Sequence, residues 1–195
     1  MPTAVGRRLT QIRWHGRGGQ GAVTAGNLLV EVALDEGRYF QSTPDYGAER
    51  TGAPVAAYTL VSDDPIYTHT PITDPDVVVV LDSTLVGKVD FLAGLREEGL
   101  LVINSKLSPK ELRQQLGVST GRVCTVDASR IALDTIGRNI PNVSIIGALL
   151  KVEEVVSPKA ARLAIERRLK ERFDERVVKA NMQAFESGYN QAQVD

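Results

Sequence analysis

The chain has 195 residues, is 43% apolar and carries a formal net charge of −1. This length and apolar fraction predict one folded domain over residues 1–195, and the near-neutral charge argues against nucleic acid or an anionic membrane as a partner. One cysteine, Cys124, excludes an internal disulfide framework and a set of cysteine ligands for an iron–sulfur cluster. No apolar run approaches the roughly 20 residues that span a bilayer, and no signal segment is visible, so we expect a cytoplasmic protein.

The first half of the sequence predicts four strands and one helix. Leu9–Trp14 alternates as a strand does, and Ala22–Leu34 repeats apolar residues at helical spacing. The other predicted strands are Gly37–Thr43, Val55–Val61 and Asp76–Asp82, and Pro44–Pro54 is predicted to be a long loop. The consecutive valines of Asp76–Asp82 are typical of a strand buried on both faces, as in a parallel sheet covered by helices.

The second half continues the alternation and then becomes helical. Its predicted elements are a short helix near Lys88–Glu98, strands Leu100–Asn104 and Arg122–Val126, a helix opened by Ser108 and Pro109, and a helix over Ala128–Arg138. From Asn142 onward only helices are predicted, one of them opened by Ser157 and Pro158. The order predicts an α/β fold with a doubly wound, mainly parallel sheet, helices on both faces and a C-terminal helical segment.

Gly147 lies inside the apolar helix that begins near Asn142. A glycine in a helix permits close approach of another element, because no Cβ stands in the way. Two interpretations remain open for it, core packing and contact with another subunit.

A glycine-rich loop between the first strand and the first helix is the strongest functional signal. Its residues are Gly16, Arg17, Gly18, Gly19, Gln20 and Gly21, in a GxGxxG pattern. Backbone N–H groups at a helix N-terminus lack partners, and glycines let an anionic group approach them. The other interpretation is that the glycines only allow strand and helix to pack closely. Arg17 and Gln20 are unusual for a dinucleotide site, and both can hydrogen-bond a phosphate or a neighbouring chain.

A dinucleotide-binding domain also needs an acidic residue about 20 residues beyond the loop, where it holds the ribose hydroxyls. Gln41 and Ser42 occupy that place, and Asp45 comes late, beyond Pro44. A free-standing Rossmann-like protein that binds NAD, FAD or a mononucleotide is therefore the weaker alternative.

The remaining candidate residues are predicted to be structural. His15 and His69 have no metal-ligand spacing, and Cys124 lies in a predicted buried strand. No Ser/His/Asp set, Cys/His pair or metal motif can be assembled, so we expect no catalytic residue and no metal ligand in this chain.

Four segments carry a resemblance to a known family: Arg13–Leu29, Pro44–Val55, Asp76–Asp82 and Ile140–Lys151. With these, the chain resembles the gamma subunit, equivalent to domain III, of the 2-oxoacid:ferredoxin oxidoreductases, of which pyruvate:ferredoxin oxidoreductase (pyruvate synthase) is the best known. The resemblance implies a complex with alpha, beta and delta (ferredoxin-like) subunits. In such a complex the partner subunits hold thiamine diphosphate, magnesium and 4Fe–4S clusters, and ferredoxin accepts the electrons.

The resemblance also implies what this subunit does. It would cover the active site and help to bind coenzyme A during oxidative decarboxylation of pyruvate to acyl-CoA, through the glycine loop and through Thr24 and Arg50. Whether Arg50 contacts coenzyme A or a neighbouring subunit stays open, and the isolated subunit is expected to form a homodimer.

The oxoacid itself also stays open. Indolepyruvate oxidoreductases use a similar glycine loop, and Tyr46 and Thr51 stand where many relatives carry Phe and Arg. The alternatives to pyruvate are 2-oxoglutarate, branched-chain 2-oxoacids and indolepyruvate.

Overall fold

The computed structural model of the chain describes residues 9–45, 52–67 and 72–195. The described strands are β1 (Leu9–Arg17), β2 (Tyr39–Asp45), β3 (Pro54–Ser62), β4 (Val77–Val80), β5 (Leu100–Asn104), β6 (Arg122–Val126) and β7 (Gln193–Val194). The described helices are α1 (Ala22–Asp35), α2 (Pro109–Leu116), α3 (Ala128–Ile136), α4 (Asn142–Val152), α5 (Pro158–Lys170) and α6 (Glu175–Gln191). A 3-10 turn, Ser83–Leu85, follows β4.

The strands form one sheet in the order β2-β3-β1-β4-β5-β6-β7. β1, β4, β5 and β6 are parallel neighbours, whereas β3 runs antiparallel between β2 and β1, and β7 runs antiparallel to β6. The predicted α/β fold is confirmed. The parallel strands direct their carboxyl ends, and the loops that follow them, to one edge of the sheet.

Apolar side chains cover both faces of the central strands. All four valines of β4 are buried, because a larger apolar cluster under α1 and α4–α6 lies on one face and a smaller cluster lies on the other. Phe91 and Leu112 belong to the smaller cluster. The uninterrupted apolar run of this strand therefore reflects burial on two faces, as predicted.

Local signals set the starts of the predicted capped helices. Ser108 accepts a hydrogen bond from the Glu111 N–H, and Glu111 returns one to the Ser108 backbone, which forms a complete capping box before α2. Ser157 caps α5 in the same position before a proline. Both helix starts agree with the sequence.

Gly147 on α4 and Gly188 on α6 mark a close helix crossing. A Cβ on Gly147 would lie 2.9 Å from the Tyr189 nitrogen, and a Cβ on Gly188 would overlap the Ser144 carbonyl. Of the two interpretations of Gly147, the structure supports core packing, because the glycine faces a helix of its own chain.

Three predictions about local structure are wrong. Lys88–Glu98 is a series of turns and not a helix, because Gly87 and Gly94 adopt positive φ and the Arg13 guanidinium binds the carbonyls of Phe91 and Ala93. The C-terminal segment is not helix only, since β7 adds to the sheet beside β6. The predicted loop is shorter than Pro44–Pro54, because both of these prolines belong to strands.

No helix in the described part of the chain combines the length and the apolar character that a membrane crossing requires.

Candidate functional site

The glycine loop lies at the carboxyl edge of the sheet, between β1 and α1. Gly16 and Arg17 are still part of β1, where they pair with Val55 and Pro54 of β3. The turn itself is Gly18–Gln20, and the Gly18 N–H donates to the Ala53 carbonyl at 3.0 Å. The structure thus places the six predicted loop residues next to one another, with the start of α1 directly behind them.

Two glycines of the loop are required by the backbone. Gly19 and Gly21 adopt φ angles of +94° and +85°, which residues with a Cβ rarely adopt. A Cβ on Gly21 would also lie 2.7 Å from Nδ2 of the buried Asn142, at the start of α4. Around Gly19 nothing lies within 4 Å of a Cβ position, so the tip of the turn is open.

The N-terminus of α1 carries no cap from a side chain and no acidic residue in its first turn. The first intrahelical bond runs from the Ala25 N–H to the Gly21 carbonyl at 2.8 Å. The N–H groups of Ala22, Val23 and Thr24 precede it and have no intrahelical acceptor. Together with the positive end of the helix dipole, they are suited to bind an anion. Thr24 itself is exposed.

The Gln20 side chain stabilises the conformation of the loop through two hydrogen bonds. Its Oε1 accepts a hydrogen bond from the Arg17 N–H at 2.8 Å, and its Nε2 donates to Oδ2 of Asp82 at 2.6 Å. The side chain therefore connects the two ends of the turn with Asp82, which follows β4. Its hydrogen-bonding atoms face the protein.

Arg17 spans the mouth of the site. Its Nη1 donates to the Gly52 carbonyl at 2.9 Å, and its Nε and Nη2 donate to Oγ1 of Thr84 at 3.1 and 2.9 Å. Its Nε also lies 3.2 Å from Oδ2 of Asp82, and 24% of its side chain is exposed. The guanidinium retains N–H groups for a further acceptor, since it has five in all.

Asp82 connects several residues of this site, and it is not among the site residues predicted from the sequence. Besides Gln20 and Arg17 it binds the Thr84 N–H, which caps the 3-10 turn. Burial raises the pKa of Asp82, but the hydrogen bonds from Thr84 and Gln20 and the charge of Arg17 outweigh burial, so its pKa lies below the usual value. A carboxylate directly after a fully buried parallel strand was the available signal.

Asn104 connects the loops farther along the same edge. Its Nδ2 donates to the Leu81 carbonyl and to Oγ of Ser129, both at 2.8 Å, and its Oδ1 accepts from the Ser129 N–H. Beside it lies a cavity of about 360 Å³, lined in part by Ser83 and Lys106. Sequence reasoning also missed this extension of the site. Its signal was the polar run that follows β5.

Comparison with known proteins identifies the family. The family model for pyruvate ferredoxin/flavodoxin oxidoreductase matches residues 11–191. The chain belongs to this family. The matched range contains the whole glycine loop, Asp82 and Asn104, so the site described above lies within the family domain.

Individual relatives are similar over almost the whole chain. The pyruvate synthase subunit PorC of Thermotoga maritima is 41% identical over 98% of this chain and 97% of its own length. The common gamma subunit of the pyruvate/ketoisovalerate oxidoreductases of Pyrococcus abyssi is 44% identical over 91% of this chain and 96% of its own. The crystal structure of pyruvate oxidoreductase subunit PORC from Thermotoga maritima has a TM-score of 0.85 at 40% identity, over 96% of this chain and 99% of that one. These likenesses confirm the resemblance to the gamma subunits of the pyruvate ferredoxin/flavodoxin oxidoreductase family.

Several predicted residues lie outside the described part of this family member. Arg50 is one of them, together with Tyr46, Thr51 and His69. The two interpretations of Arg50, contact with coenzyme A or with a neighbouring subunit, therefore both stand.

His15 and Cys124 are both buried, and for Cys124 this confirms the predicted buried strand. Burial, together with the charge of Arg13, lowers the pKa of His15 to about 4, so its imidazole is neutral at pH 7. Burial raises the pKa of Cys124 to about 12, which keeps the thiol protonated and unreactive. Both environments fit the structural roles expected of these residues within the family domain.

The strand order argues against a dinucleotide site in this chain. β2 is separated from β1 by β3, so Gln41, Ser42 and Asp45 lie two strands, or about 10 Å, from the strand that feeds the loop. The parallel neighbour of β1 is β4, and the carboxylate that follows β4, Asp82, binds the loop itself. A ribose-binding carboxylate in the place that NAD requires is therefore missing from the described residues.

Proposed function

We propose that the chain is the gamma subunit of a thiamine-diphosphate-dependent 2-oxoacid:ferredoxin oxidoreductase that acts on pyruvate, and that it binds the diphosphate of coenzyme A. The observation that carries the second part is the uncapped N-terminus of α1 behind the Gly18–Gln20 turn. An N-terminus of this kind, with free N–H groups and no carboxylate, favours a phosphate over a neutral group.

Each loop residue has its own role in this proposal. Gly18, Gly19 and Gly21 let the diphosphate approach the backbone of α1, with Gly16 packing the strand against the helix. Arg17 contributes positive charge at the mouth, and Thr24 lies beside the bound group. Arg50, which lies between β2 and β3 in the sequence, is proposed as a further contact.

Gln20 is proposed to act through the loop conformation, since its side chain is bonded to Arg17 and Asp82. Ordering a flexible turn costs about 1–2 kcal/mol per residue, so a turn that is fixed beforehand binds its ligand more tightly. Lys106 on the same edge is available for another phosphate of coenzyme A.

The chemistry of decarboxylation and electron transfer is proposed to belong to the alpha, beta and delta subunits. These would hold thiamine diphosphate, magnesium and 4Fe–4S clusters and pass electrons to ferredoxin. The only cysteine of this chain is buried as a thiol, which does not suit a cluster ligand. A single domain over residues 1–195, a cytoplasmic location and a homodimer of the isolated chain remain predictions.

The names of the relatives support pyruvate as the oxoacid. One relative is a pyruvate synthase subunit, and another is a common subunit of pyruvate and ketoisovalerate oxidoreductases. A subunit that two enzymes share does not select between their substrates. We therefore propose that the residues selecting the oxoacid lie in the partner subunits.

The test uses the assembled complex with Asp82→Asn in this chain. The variant loses the charge that holds Gln20 and Arg17, and a charge-assisted hydrogen bond contributes about 1.5–3 kcal/mol, so we expect the KM for coenzyme A to rise about tenfold. The KM for pyruvate should stay unchanged in pyruvate-dependent reduction of a viologen dye.

Asp35→Asn is the matched control, because it breaks an exposed ion pair with Arg167 at the far end of α1. Equal KM values for coenzyme A in the two variants would refute the role of the loop. A wild-type complex that prefers another 2-oxoacid would refute the proposed substrate.

A further inference from the structure

A second concave surface lies on the helical side of the sheet. This cleft, of about 970 Å³, is bounded by α1, by α3 and the residues after it, by the end of α5 and by the start of α6. Its lining includes Leu133 and Phe173, which are 49% and 51% exposed. Two large apolar side chains exposed around one cleft suit contact with a protein better than contact with water.

Three arginines of the cleft have no ion pair and no side-chain hydrogen bond within residues 9–45, 52–67 and 72–195. These residues are Arg138, Arg172 and Arg176. Every other arginine of that part of the chain binds a carboxylate or a backbone carbonyl. The unpaired guanidinium groups are thus concentrated on a single surface.

The acidic residues of the cleft do not neutralise these arginines. Glu31 lies 3.5 Å from Arg168, and Asp134 lies 2.8 Å from Arg130. Asp174 accepts a hydrogen bond from the Val177 N–H at 2.9 Å and caps α6. The lining holds four arginines and three acidic residues, so the net charge of the cleft is positive.

We propose that this cleft docks a segment of a partner subunit that carries carboxylate side chains beside an apolar anchor. The proposal rests on the proposed function, in which the chain works inside a complex. Guanidinium groups bind carboxylates through two parallel hydrogen bonds, and the exposed ring of Phe173 in the same cleft offers an apolar contact. Arginine and aromatic residues are also the side chains that contribute most to protein interfaces.

The segments of this chain outside the described part are not acidic enough to complement the cleft. Residues 1–8, which lie outside the described part, contain Arg7 and Arg8 and no acidic side chain. Residues 46–51 contain one acidic and one basic residue, Glu49 and Arg50. Charge therefore favours a partner chain over these segments.

The test reverses the charge of the cleft with Arg138→Glu, Arg172→Glu and Arg176→Glu in one chain. The control reverses the charge of three exposed lysines outside the cleft, with Lys88→Glu, Lys159→Glu and Lys179→Glu. Binding of each purified chain to the remaining subunits is measured by analytical ultracentrifugation. We expect about 100-fold weaker binding for the cleft variant and less than a twofold change for the control, because like charges replace complementary ones.

A second variant, Leu133→Ser with Phe173→Ser, removes the apolar contact at two exposed positions and so keeps the fold. It should also weaken binding, by about tenfold or more, at an unchanged thermal unfolding temperature. If the charge-reversed chain does not fold, this variant still tests whether the cleft binds the partner subunit.

Three results would overturn the proposal. One is assembly of the folded cleft variants with the affinity of the control. Another is unchanged assembly with a raised KM for coenzyme A, which would make the cleft an anionic substrate site. The third is a change only in the self-association of the isolated chain. Asp82→Asn tests coenzyme A binding without altering the cleft, so either proposal can fail while the other stands.

Discussion

Thr24 offers a way to separate anion binding at α1 from the stability of α1. Thr24→Glu places a carboxylate in the first turn of the helix, where the structure has no acidic residue and where Thr24 is exposed. A carboxylate in this position interacts favourably with the helix dipole, by about 0.3–1 kcal/mol. The free energy of unfolding should therefore hold or rise, while a bound diphosphate is repelled.

The size of the repulsion follows from Coulomb's law. Two unit charges separated by about 6 Å in water repel by about 0.7 kcal/mol, so the two charges of a diphosphate give about 1.4 kcal/mol. This free energy corresponds to about a tenfold increase in the KM for coenzyme A. The increase should shrink at high ionic strength, because salt screens exposed charges.

The assay is pyruvate-dependent reduction of a viologen dye by the assembled complex, with coenzyme A varied at two salt concentrations. Thr24→Gln is the matched control, since it adds similar volume without charge. If Thr24→Glu and Thr24→Gln have the same KM for coenzyme A at low salt, the N-terminus of α1 does not face the diphosphate.

Two further predictions concern stability. Gly188→Ala should lower the free energy of unfolding by about 1–3 kcal/mol or more in urea denaturation, because its Cβ would lie 2.8 Å from the Ser144 Cα, whereas Ser187→Ala should change it by less than about 0.5 kcal/mol. Equal effects would contradict the close crossing of α4 and α6. The pKa of His15 is about 4 in the folded protein, against 6.5 for an ordinary histidine. The folded protein therefore binds fewer protons between these values, and its free energy of unfolding should fall by roughly 3 kcal/mol from pH 6.5 to 4. His15→Leu should remove this part of the slope, and an unchanged slope would show that His15 is not buried as a neutral group.

Several elements could be predicted from the sequence because their signals are local. β5 and β6 have the predicted bounds, and the serine caps of α2 and α5 lie where the sequence places them. Caps and periodicity depend on residues within about four positions of one another, so the sequence displays them directly.

The turns around Lys88–Glu98 could not be predicted in the same way. Their carbonyls are bound by Arg13, which is 78 residues from Phe91 along the chain. A contact at this separation overrides local helical preference and leaves no pattern in the segment itself. β7 is likewise held by its pairing with β6 and by the bond of Arg113 to Asp195.

The candidate site also combines features that local sequence predicts with features that depend on distant contacts. The glycine loop, its place between a strand and a helix, and the family could be recognised from the sequence, because the loop and its helix are contiguous. The use of Asp82 depends on β4 lying beside β1, which brings together side chains 62 positions apart.

By itself, the sequence determined the α/β alternation, the strand–glycine loop–helix unit and the presence of one cysteine, Cys124, which cannot supply a set of cysteine ligands. Only the tertiary structure decided that β3 separates β2 from β1, that Asp82 holds the loop, and that one cleft contains three arginines with no ion pair among the described residues. The physical reason is that helices, caps and turns follow from neighbouring residues. Strand order and partnerships between distant side chains follow from how the whole chain buries its apolar surface.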